Sequence, residues 1–490
     1  MSTVLKTDSP THGKGLYIDG HWQSARSGKT LDVIAPADGM AYSSIAMGDR
    51  EDIDAAVSAA RSAVEGGAWS KFSATERGRV LSKLSHLILE NTAEIAAIEA
   101  RDTGKPLKTA TGDAIATARY FEYYGGAADK LHGETIPYLD GFMASTLRVP
   151  LGVTAHIIPW NLPIQIFARS VAPALACGNA TVVKPAEDAC LGVVKLVELA
   201  ETAGLPPGAL NLVTGTGPIA GAALAEHPGI DFISFTGSPQ VGTLIQIAAA
   251  KNHVGVTLEL GGKSPHVVFG DADLEIALPA IVAGIVANAG QTCSAGSRVL
   301  VERAAYDSFV EQLAERFSKV AAGTPEMNLD LGALVNAKQK ARVEGFEQRA
   351  RIAGVPILAS GKIAEGVPAD GFFVTPRIYG PVPRSNELAH EEVFGPVLAV
   401  LPFDDENDAV QLANGTEYGL MAGVWTGNGS RALRVARRIR AGQVYVNGFG
   451  AGGGIELPFG GMKKSGHGRE KGFEALYEFS TSQTLIVRHG

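Results

Sequence analysis

The fold is decided by the stretch Val153-Thr154-Ala155-His156-Ile157-Ile158, a short run in which apolar and β-branched residues predominate. Comparable runs follow at residues 181–184, 210–213 and 231–235, and alanine-rich segments of helical character separate them. Strands that alternate with helices form βαβ units and therefore a parallel sheet. A second region of the same kind spans residues 265–446. The sequence thus predicts an α/β protein with two parallel sheets.

The bulk composition limits the kind of protein this can be. A chain of 490 residues is long enough for two or three domains, and 59 glycines suit an α/β protein with many tight turns. The net charge of −8 is spread along the chain without a basic stripe, which argues against a nucleic-acid partner. Residues 1–6 show no signal-peptide pattern, and no run of about 18 apolar residues predicts a membrane span.

The three cysteines, Cys177, Cys190 and Cys293, cannot all pair with one another, and a disulfide framework is implausible in a chain of this size. We therefore expect a reducing, cytoplasmic setting. No group of His, Cys, Asp and Glu residues has the spacing of metal ligands, so no metal is expected.

Two segments carry residues suited to covalent catalysis, Asn288-Ala289-Gly290-Gln291-Thr292-Cys293-Ser294 and Glu259-Leu260-Gly261-Gly262-Lys263. A thiolate attacks a carbonyl carbon well, and a carboxylate can take a proton from water. Buried cysteines are usually inert small hydrophobes, which is the interpretation for Cys177 and Cys190. The small, polar neighbours of Cys293 instead favour a nucleophile, and the two segments together suggest covalent catalysis followed by hydrolysis.

Two glycine motifs compete for a dinucleotide. The segment Gly215-Thr216-Gly217-Pro218-Ile219-Ala220-Gly221 fits a dinucleotide fingerprint superficially, and spacing alone favours it. In Gly237-Ser238-Pro239-Gln240-Val241-Gly242, Ser238 can cap a helix and Pro239 suits its first position. Free amides at that helix end could face a pyrophosphate.

Five motifs in order resemble those of the aldehyde dehydrogenase superfamily, and the resemblance runs from about Gly15 to the C-terminus. They are the two catalytic segments, Pro159-Trp160-Asn161, Phe235-Thr236-Gly237-Ser238 and Glu391-Glu392-Val393-Phe394-Gly395-Pro396. The resemblance implies two Rossmann-like parallel-sheet domains and a small β oligomerisation domain. The implied boundaries are residues 1–130 and 151–261 for NAD binding, 262–465 for catalysis, and 131–150 with 478–490 for oligomerisation.

The resemblance also implies how the cofactor is bound. It favours the second glycine motif, which leaves Gly215 and Gly217 as a tight turn. Lys184 and Glu187 would hold the adenosine ribose, and the carboxylate of Glu187 would repel a 2′-phosphate. We therefore expect NAD in preference to NADP, although some relatives with this glutamate accept both. The implied cofactor-binding residues are Ile157, Pro159, Trp160, Lys184, Glu187, Gly237, Ser238, Gly242, Glu392 and Phe394.

Two of these cofactor predictions have plainer alternatives. A surface salt bridge would explain Lys184 with Glu187, and an acidic helix N-terminus would explain Glu392.

In the implied reaction, Cys293 attacks the aldehyde to form a thiohemiacetal, and hydride loss then leaves a thioester. The Asn161 amide and the Cys293 backbone N–H would hold the oxyanion, and Glu259 would activate the hydrolytic water. Relatives that pass the acyl group to coenzyme A generally lack this glutamate, so we expect a free acid. Without the resemblance, Asn161 would be a turn residue and Glu259 the partner of a salt bridge with Lys263.

Substrate residues follow from the resemblance as well. Arg169 stands where semialdehyde-oxidising relatives hold a carboxylate, although it could instead pair with Glu456. The expected aldehyde is therefore either a carboxylated semialdehyde or a bulky or aromatic compound. The candidate pocket residues are Leu162, Ile166, Arg169, Thr292, Ser294, Glu456 and Phe459.

Two features depart from the family pattern. Ser170 replaces a common lysine, while Glu470 keeps its place as a candidate proton relay. Relatives often place an aromatic in the loop at residues 447–458, where this chain has Gly448, Gly450, Gly452, Gly453 and Gly454. These glycines predict a roomier pocket or a more mobile loop.

Two rival functions use the same residues. A non-catalytic NAD-binding or structural protein would be expected to lose Cys293, Glu259 or Asn161, and a thiol esterase would need no dinucleotide motif. We therefore predict an aldehyde dehydrogenase, assembled as a homodimer or homotetramer.

Overall fold

A computed structural model describes residues 15–450 and 454–490, so Gly452 and Gly453 of the glycine loop and residues 1–6 lie outside the described residues. The strands are β1 (Leu16–Ile18), β2 (His21–Gln23), β3 (Thr30–Ile34), β4 (Ala41–Ala46), β5 (Thr135–Ile136), β6 (Phe142–Pro150), β7 (Val153–Ile158), β8 (Ala180–Pro185), β9 (Leu210–Leu212), β10 (Phe232–Thr236), β11 (Gly255–Glu259), β12 (Pro265–Val268), β13 (Arg298–Glu302), β14 (Ala321–Ala322), β15 (Ile357–Ser360), β16 (Lys362–Ile363), β17 (Arg377–Tyr379), β18 (Val397–Phe403), β19 (Met421–Trp425), β20 (Gln443–Val446), β21 (Gly466–His467) and β22 (Ser480–Arg488).

The helices lie mainly between these strands. They are α1 (Arg50–Val64), α2 (Ala74–Glu90), α3 (Thr92–Thr103), α4 (Leu107–Ala127), α5 (Pro163–Cys177), α6 (Leu191–Ala203), α7 (Ala222–Glu226), α8 (Pro239–Asn252), α9 (Leu274–Val286), α10 (Tyr306–Phe317), α11 (Ala337–Ile352), α12 (Glu387–His390), α13 (Glu406–Asn414), α14 (Gly429–Arg438) and α15 (Glu474–Glu478). Across the residues that the structure describes, no helix is long and apolar enough to cross a membrane.

The first large sheet has the strand order β2-β1-β9-β8-β7-β10-β11-β21. Its strands β9, β8, β7, β10 and β11 run parallel, and antiparallel strands close both edges. The helices α5, α6 and α8 link these parallel strands, because each apolar run is followed by a helical segment before the next run begins. The predicted βαβ arrangement is therefore confirmed.

The second large sheet has the order β15-β17-β18-β13-β12-β19-β20, and only β15 runs antiparallel to its neighbour. Each of the two large sheets belongs to a hydrophobic core of its own. The predicted α/β class, with two parallel-containing sheets, is thus what the chain adopts.

A small antiparallel sheet joins two segments that are distant in sequence. Strand β6 pairs with β22 from Ser480 opposite Pro150 to Arg488 opposite Phe142, and β5 pairs with the other edge of β6. The two segments assigned to a small β domain thus share one sheet. The division into three domains and the role of this sheet in assembly stay predictions.

The parallel arrangement explains why polar residues gather at one edge of the first sheet. Strand β7 ends just before Pro159, β10 ends at Thr236, and β11 ends at Glu259. Since the carboxyl ends of parallel strands meet at one edge, the residues that follow them line a common crevice.

Candidate active site

A cavity of about 900 Å³ opens at this edge of the first sheet. Strand ends and loops of the first sheet form part of its wall, and helix α11 with loops next to the second sheet forms the rest, so the cavity lies between the two cores. Three side chains proposed for catalysis from the sequence, Asn161, Glu259 and Cys293, all line it. The fold therefore brings together the thiol, the carboxyl group and the amide that the proposed chemistry needs.

Cys293 follows a sharp turn at the end of α9. Three consecutive residues, Asn288, Ala289 and Gly290, have φ values of 49°, 55° and 73°, which lie in the left-handed region. A side chain at position 290 would also clash with the carbonyl group of Gly395. Left-handed backbone at a non-glycine residue costs about 1–3 kcal/mol and persists where surrounding structure holds it. The small residues before Cys293 thus allow a strained turn that carries the sulfur to the cavity wall.

Burial raises the pKa of the Cys293 thiol to about 12. The guanidinium of Arg169 lowers it, whereas the carboxyl groups of Glu259 and Glu392 raise it further. The side chain itself is only partly buried, and it stays accessible from the cavity. Cys177 and Cys190 are fully buried, which agrees with their interpretation as inert core residues.

Glu259 ends β11 and is 1% exposed. Neither carboxyl oxygen has a hydrogen-bond partner among the described residues, and no salt bridge there joins it to Lys263. Burial and the negative charge of Glu470 raise its pKa well above the usual range, while Arg169 opposes the shift. A buried carboxyl group without a partner is costly, so its position on the cavity wall favours a role toward a bound molecule over a structural salt bridge.

Asn161 lies between β7 and α5 and is held from two directions. Its side-chain Nδ2 donates to the carbonyl of Gln291 at 2.9 Å, and its own carbonyl accepts from Nδ2 of Asn288 at 2.8 Å. An amide NH₂ has two hydrogens, so one N–H remains available to a ligand. Asn161 is therefore tied to the loop of Cys293 rather than acting only as a turn residue.

Glu392 and Phe394 also line the cavity. The carboxylate of Glu392 accepts a hydrogen bond from the Gly262 backbone N–H at 2.8 Å, and burial raises its pKa to about 7. The Phe394 ring meets Trp160 edge to face at 5.4 Å. Glu392 is therefore not the exposed acidic helix N-terminus that was its alternative interpretation.

Sequence reasoning missed the two residues that hold this loop. Arg342 donates to the carbonyls of Glu392 at 2.5 Å and Val393 at 3.2 Å, and Gln339 donates to that of Phe394 at 2.6 Å. Both side chains also line the cavity. A polar face on α11 was the available signal, but it does not identify backbone carbonyls as the partners.

The second glycine motif lines the cavity through Gly237 and Ser238, beside Pro159 and Trp160. Ser238 caps α8, since its hydroxyl accepts from the Val241 N–H at 3.3 Å. Gly242 packs against Leu260, where a side chain would clash. Residues of the first glycine motif do not line this cavity, and Gly217–Gly221 instead form a single π-helical turn.

Lys184 and Glu187 form an ion pair at 2.9 Å near that turn, and the second carboxylate oxygen of Glu187 accepts from the Gly217 N–H at 3.2 Å. Attraction to the ammonium and these hydrogen bonds outweigh burial and lower the pKa of Glu187. Neither residue lines the main cavity, although Asp188 does, and Ile157 is buried at the end of β7. The alternative interpretation of a salt bridge is therefore confirmed for this pair, and contact of the two residues with a cofactor stays a prediction.

Arg169 corrects one expectation from the sequence. It is 7% exposed, forms an ion pair with Glu470, and donates to the Thr236 hydroxyl at 3.2 Å. The alternative partner, Glu456, is half exposed and pairs with Arg119 at 2.5 Å. The pairing of Arg169 with Glu456 was therefore wrong, because Glu470 reaches the guanidinium from inside the protein.

Glu470 is 1% exposed and also accepts from the Ser234 hydroxyl at 3.1 Å. Ser170, at the place of the usual lysine, donates back to the carbonyl of Ile166 at 3.1 Å. The positive charge next to Glu470 is therefore supplied by Arg169, the residue before Ser170.

The other candidate pocket residues are not among those that line the main cavity, and of them only Phe459 shares an apolar cluster with Cys293. Thr292 and Ser294 flank Cys293, Leu162 and Ile166 belong to the start of α5, and Phe459 is buried beneath Arg169 at 5.2 Å. Phe449, Tyr445 and Cys293 pack against one apolar cluster. Phe449 is thus an aromatic residue within the glycine loop, and the roomier pocket or more mobile loop stays a prediction. Within the described ranges, no group of three or more His, Cys, Asp or Glu residues is arranged to hold a metal ion.

Comparisons with known proteins agree with this geometry. Residues 22–485 match the model of the aldehyde dehydrogenase family. The chain is 40% identical to retinal dehydrogenase 2 of Homo sapiens over 96% of its length and 91% of that protein. It is 58% identical to a solved structure named as an aldehyde dehydrogenase of Burkholderia cenocepacia, with a TM-score of 0.96 and coverage of 97% and 100%. An NAD⁺ complex of an aldehyde dehydrogenase of Bacillus cereus is 39% identical, with a TM-score of 0.94 and 97% of each chain covered.

Proposed function

Because this chain belongs to the aldehyde dehydrogenase family of oxidoreductases, we propose that it oxidises an aldehyde to the free carboxylic acid, with NAD as hydride acceptor and a thioester on Cys293 as intermediate. The observation that carries the proposal is the convergence of Cys293, Glu259 and Asn161 on one cavity, with Glu259 lacking a protein partner. Aldehyde-dependent NADH absorbance, followed with a panel of aldehydes, tests it. A scaffold protein would give no signal, and a thiol esterase would cleave esters without forming NADH.

The cavity residues fit a dinucleotide. The volume of about 900 Å³ lies within the range of ligand sites, and the amides at the start of α8 open onto it beside Gly237 and Ser238. Trp160, Glu392 and Phe394 would hold the nicotinamide end. When bound, the group supplies a hydride acceptor and a positive charge that favours the Cys293 thiolate. NAD is preferred over NADP in this proposal, because the carboxylate of Glu187 repels a 2′-phosphate.

The protein's own residues carry the remaining chemistry. The Cys293 thiol gives its proton to water in the cavity, and the sulfur then bonds to the aldehyde carbon. The free N–H of Asn161 and the Cys293 backbone N–H donate to the oxyanion that forms. Loss of hydride re-forms the carbonyl as a thioester. Water then attacks that carbonyl while Glu259 takes one of its protons, and collapse of the tetrahedral intermediate breaks the carbon–sulfur bond, which releases the carboxylic acid and the Cys293 thiolate. Glu470, beside Arg169, is the proposed next acceptor of that proton.

Replacing Asn161 with alanine is expected to lower kcat by roughly 10²- to 10³-fold, the usual effect of losing one oxyanion donor. The KM for NAD should stay within about twofold, since Asn161 stabilises developing charge more than the bound cofactor. Steady-state NADH formation measures both values, and thermal unfolding of the variant checks its integrity. A kcat within a few-fold of wild type would remove Asn161 from the reaction.

A bulky or aromatic aldehyde is the better-supported substrate. The guanidinium of Arg169 is already engaged by Glu470, Thr236 and the face of Phe459, which weakens the case for a substrate carboxylate. Phe449 and Tyr445 pack with Cys293 against an apolar cluster. Relatives named for retinal, a bulky apolar aldehyde, point the same way.

Replacing Arg169 with methionine is expected to lower kcat/KM for acidic and neutral aldehydes by similar factors, so that their ratio changes less than about threefold. A direct charge-assisted contact would change the ratio by about tenfold or more. The Arg169→Met, Glu470→Gln double variant is the matched control, because it leaves no unpaired buried carboxylate. A selective loss of acidic semialdehydes in both variants would instead establish Arg169 as the carboxylate-binding residue.

We also propose a homodimer or homotetramer. The small sheet leaves apolar side chains of β6 and β22 exposed, among them Met143, Leu485 and Ile486, and exposed apolar patches commonly mark subunit interfaces. Light scattering of the purified protein measures the assembly.

A further inference from the structure

A buried charge cluster lies behind Asn161, away from the cavity. The side chains of Lys105 and Glu99 are fully buried, and that of Asp113 is 8% exposed. The ammonium of Lys105 lies 3.0 Å from Oε1 of Glu99 and 2.6 Å from Oδ2 of Asp113. Isolated buried ions are strongly unfavourable, so this lysine is retained in the interior by two carboxylates from α3 and α4.

The third acceptor of this ammonium belongs to the active-site loop. Nζ of Lys105 donates to the backbone carbonyl of Asn161 at 3.3 Å. An ammonium has three N–H donors, and here each has one acceptor. The second oxygen of Asp113 accepts from the side chain of Gln165 at 2.7 Å, which ties the cluster to the first turn of α5 as well. The cluster is thus hydrogen-bonded to the chain on both sides of Leu162, at the Asn161 carbonyl and at the Gln165 side chain.

The same carbonyl also connects to the Cys293 loop. Nδ2 of Asn288 donates to the Asn161 carbonyl at 2.8 Å and to the Gln291 carbonyl at 3.2 Å, and the Gln291 carbonyl accepts from Nδ2 of Asn161 at 2.9 Å. These bonds form a closed ring between the two loops. The direction of the Asn161 amide therefore depends on where its backbone carbonyl is held.

We propose that Lys105, held by Glu99 and Asp113, is a positioning residue that fixes the Asn161 backbone and so aims its amide at the oxyanion. This inference rests on the proposed function, because it assigns Asn161 the oxyanion-donor role. Buried ion clusters contribute little net stability compared with apolar packing but can fix one geometry, which suits such a role. Small errors in the placement of catalytic groups lower rates steeply.

A double-mutant cycle tests the proposal. Lys105→Met is expected to lower kcat by about 10- to 100-fold in the wild-type background and by less than about twofold in the Asn161→Ala background. The Kd for NAD⁺, measured by fluorescence quenching, should stay within about twofold of wild type. The rate at which iodoacetamide alkylates Cys293 should also be kept, since alkylation needs no oxyanion donor.

The possible results distinguish a positioning role of Lys105 from a general structural role. Equal losses of kcat in both backgrounds, or a changed alkylation rate, would overturn the proposal, because Lys105 would then act through the general structure. If Lys105→Met does not fold, the neutral combination Glu99→Gln, Lys105→Met, Asp113→Asn replaces it in the same cycle, and failure of that variant to fold would also contradict a positioning role. Wild-type and Asn161→Ala turnover, measured first, test the proposed function independently of Lys105.

Discussion

Replacing Cys293 with serine is expected to abolish aldehyde oxidation, with a fall in kcat of at least about 10⁴-fold. A serine hydroxyl is a far weaker nucleophile than a thiol, and among the residues that the structure describes no base, Glu259 included, is hydrogen-bonded to the side chain of position 293 to activate it. The thioester intermediate could not form. Stopped-flow and steady-state NADH absorbance measure the loss, and mass spectrometry of enzyme quenched during turnover should find an acyl adduct on Cys293 in the wild type only.

Cys177→Ser is the matched control. Burial raises the pKa of both thiols to about 12, so the two cysteines differ in position rather than in acidity. The Cys177 sulfur is buried against the carbonyl of Leu476, and Cys177 is not among the residues that line the cavity. Its replacement should leave kcat within about twofold of wild type, provided that the fold is intact, because it removes no reacting atom. Full activity of Cys293→Ser would end the proposed mechanism.

The positions of Asn161 and Glu259 at this edge were predictable from the sequence, because Asn161 comes shortly after the apolar strand β7 and Glu259 is the last residue of β11. The carboxyl ends of parallel strands meet at one edge of the sheet, so a polar residue placed there lies at the crevice along that edge. The cap formed by Ser238 was predictable for a similar reason, since its partners lie within three residues. The position of Cys293 depended on the motif resemblance, because the strained turn before it has no strand to aim it.

The partners of Arg169 and Lys105 were not predictable in this way. Glu470 contacts Arg169 from the segment that follows β21, and Glu99 and Asp113 contact Lys105 from separate helices. Which carboxylate meets a buried cation depends on how distant segments pack, and local pattern carries no information about that. Glu456 was the alternative partner for Arg169 because both were expected at the pocket, but Glu456 is exposed and pairs with Arg119.

Replacing Glu259 with glutamine is expected to leave the first turnover largely intact and to slow the steady state by roughly 10²- to 10⁴-fold, the usual contribution of a general base. The amide keeps the shape of the carboxyl group but cannot take a proton from water. The thioester should therefore accumulate, and stopped-flow absorbance should record a burst of about one NADH per active site before the slow phase. Glu417→Gln, at an exposed salt bridge with Lys464, is the matched control and should behave as wild type.

The pH dependence of this slow phase gives a second measure of Glu259. Burial and Glu470 raise its pKa well above the usual range, and only the ionised form accepts a proton, so hydrolysis in the wild type should accelerate as the pH rises through that raised pKa. This increase of the hydrolysis rate with pH should be absent in Glu259→Gln, because glutamine does not titrate. An undiminished steady-state rate in this variant would remove Glu259 as the base, since the buried carboxyl group would then stand on the cavity wall without taking part in hydrolysis.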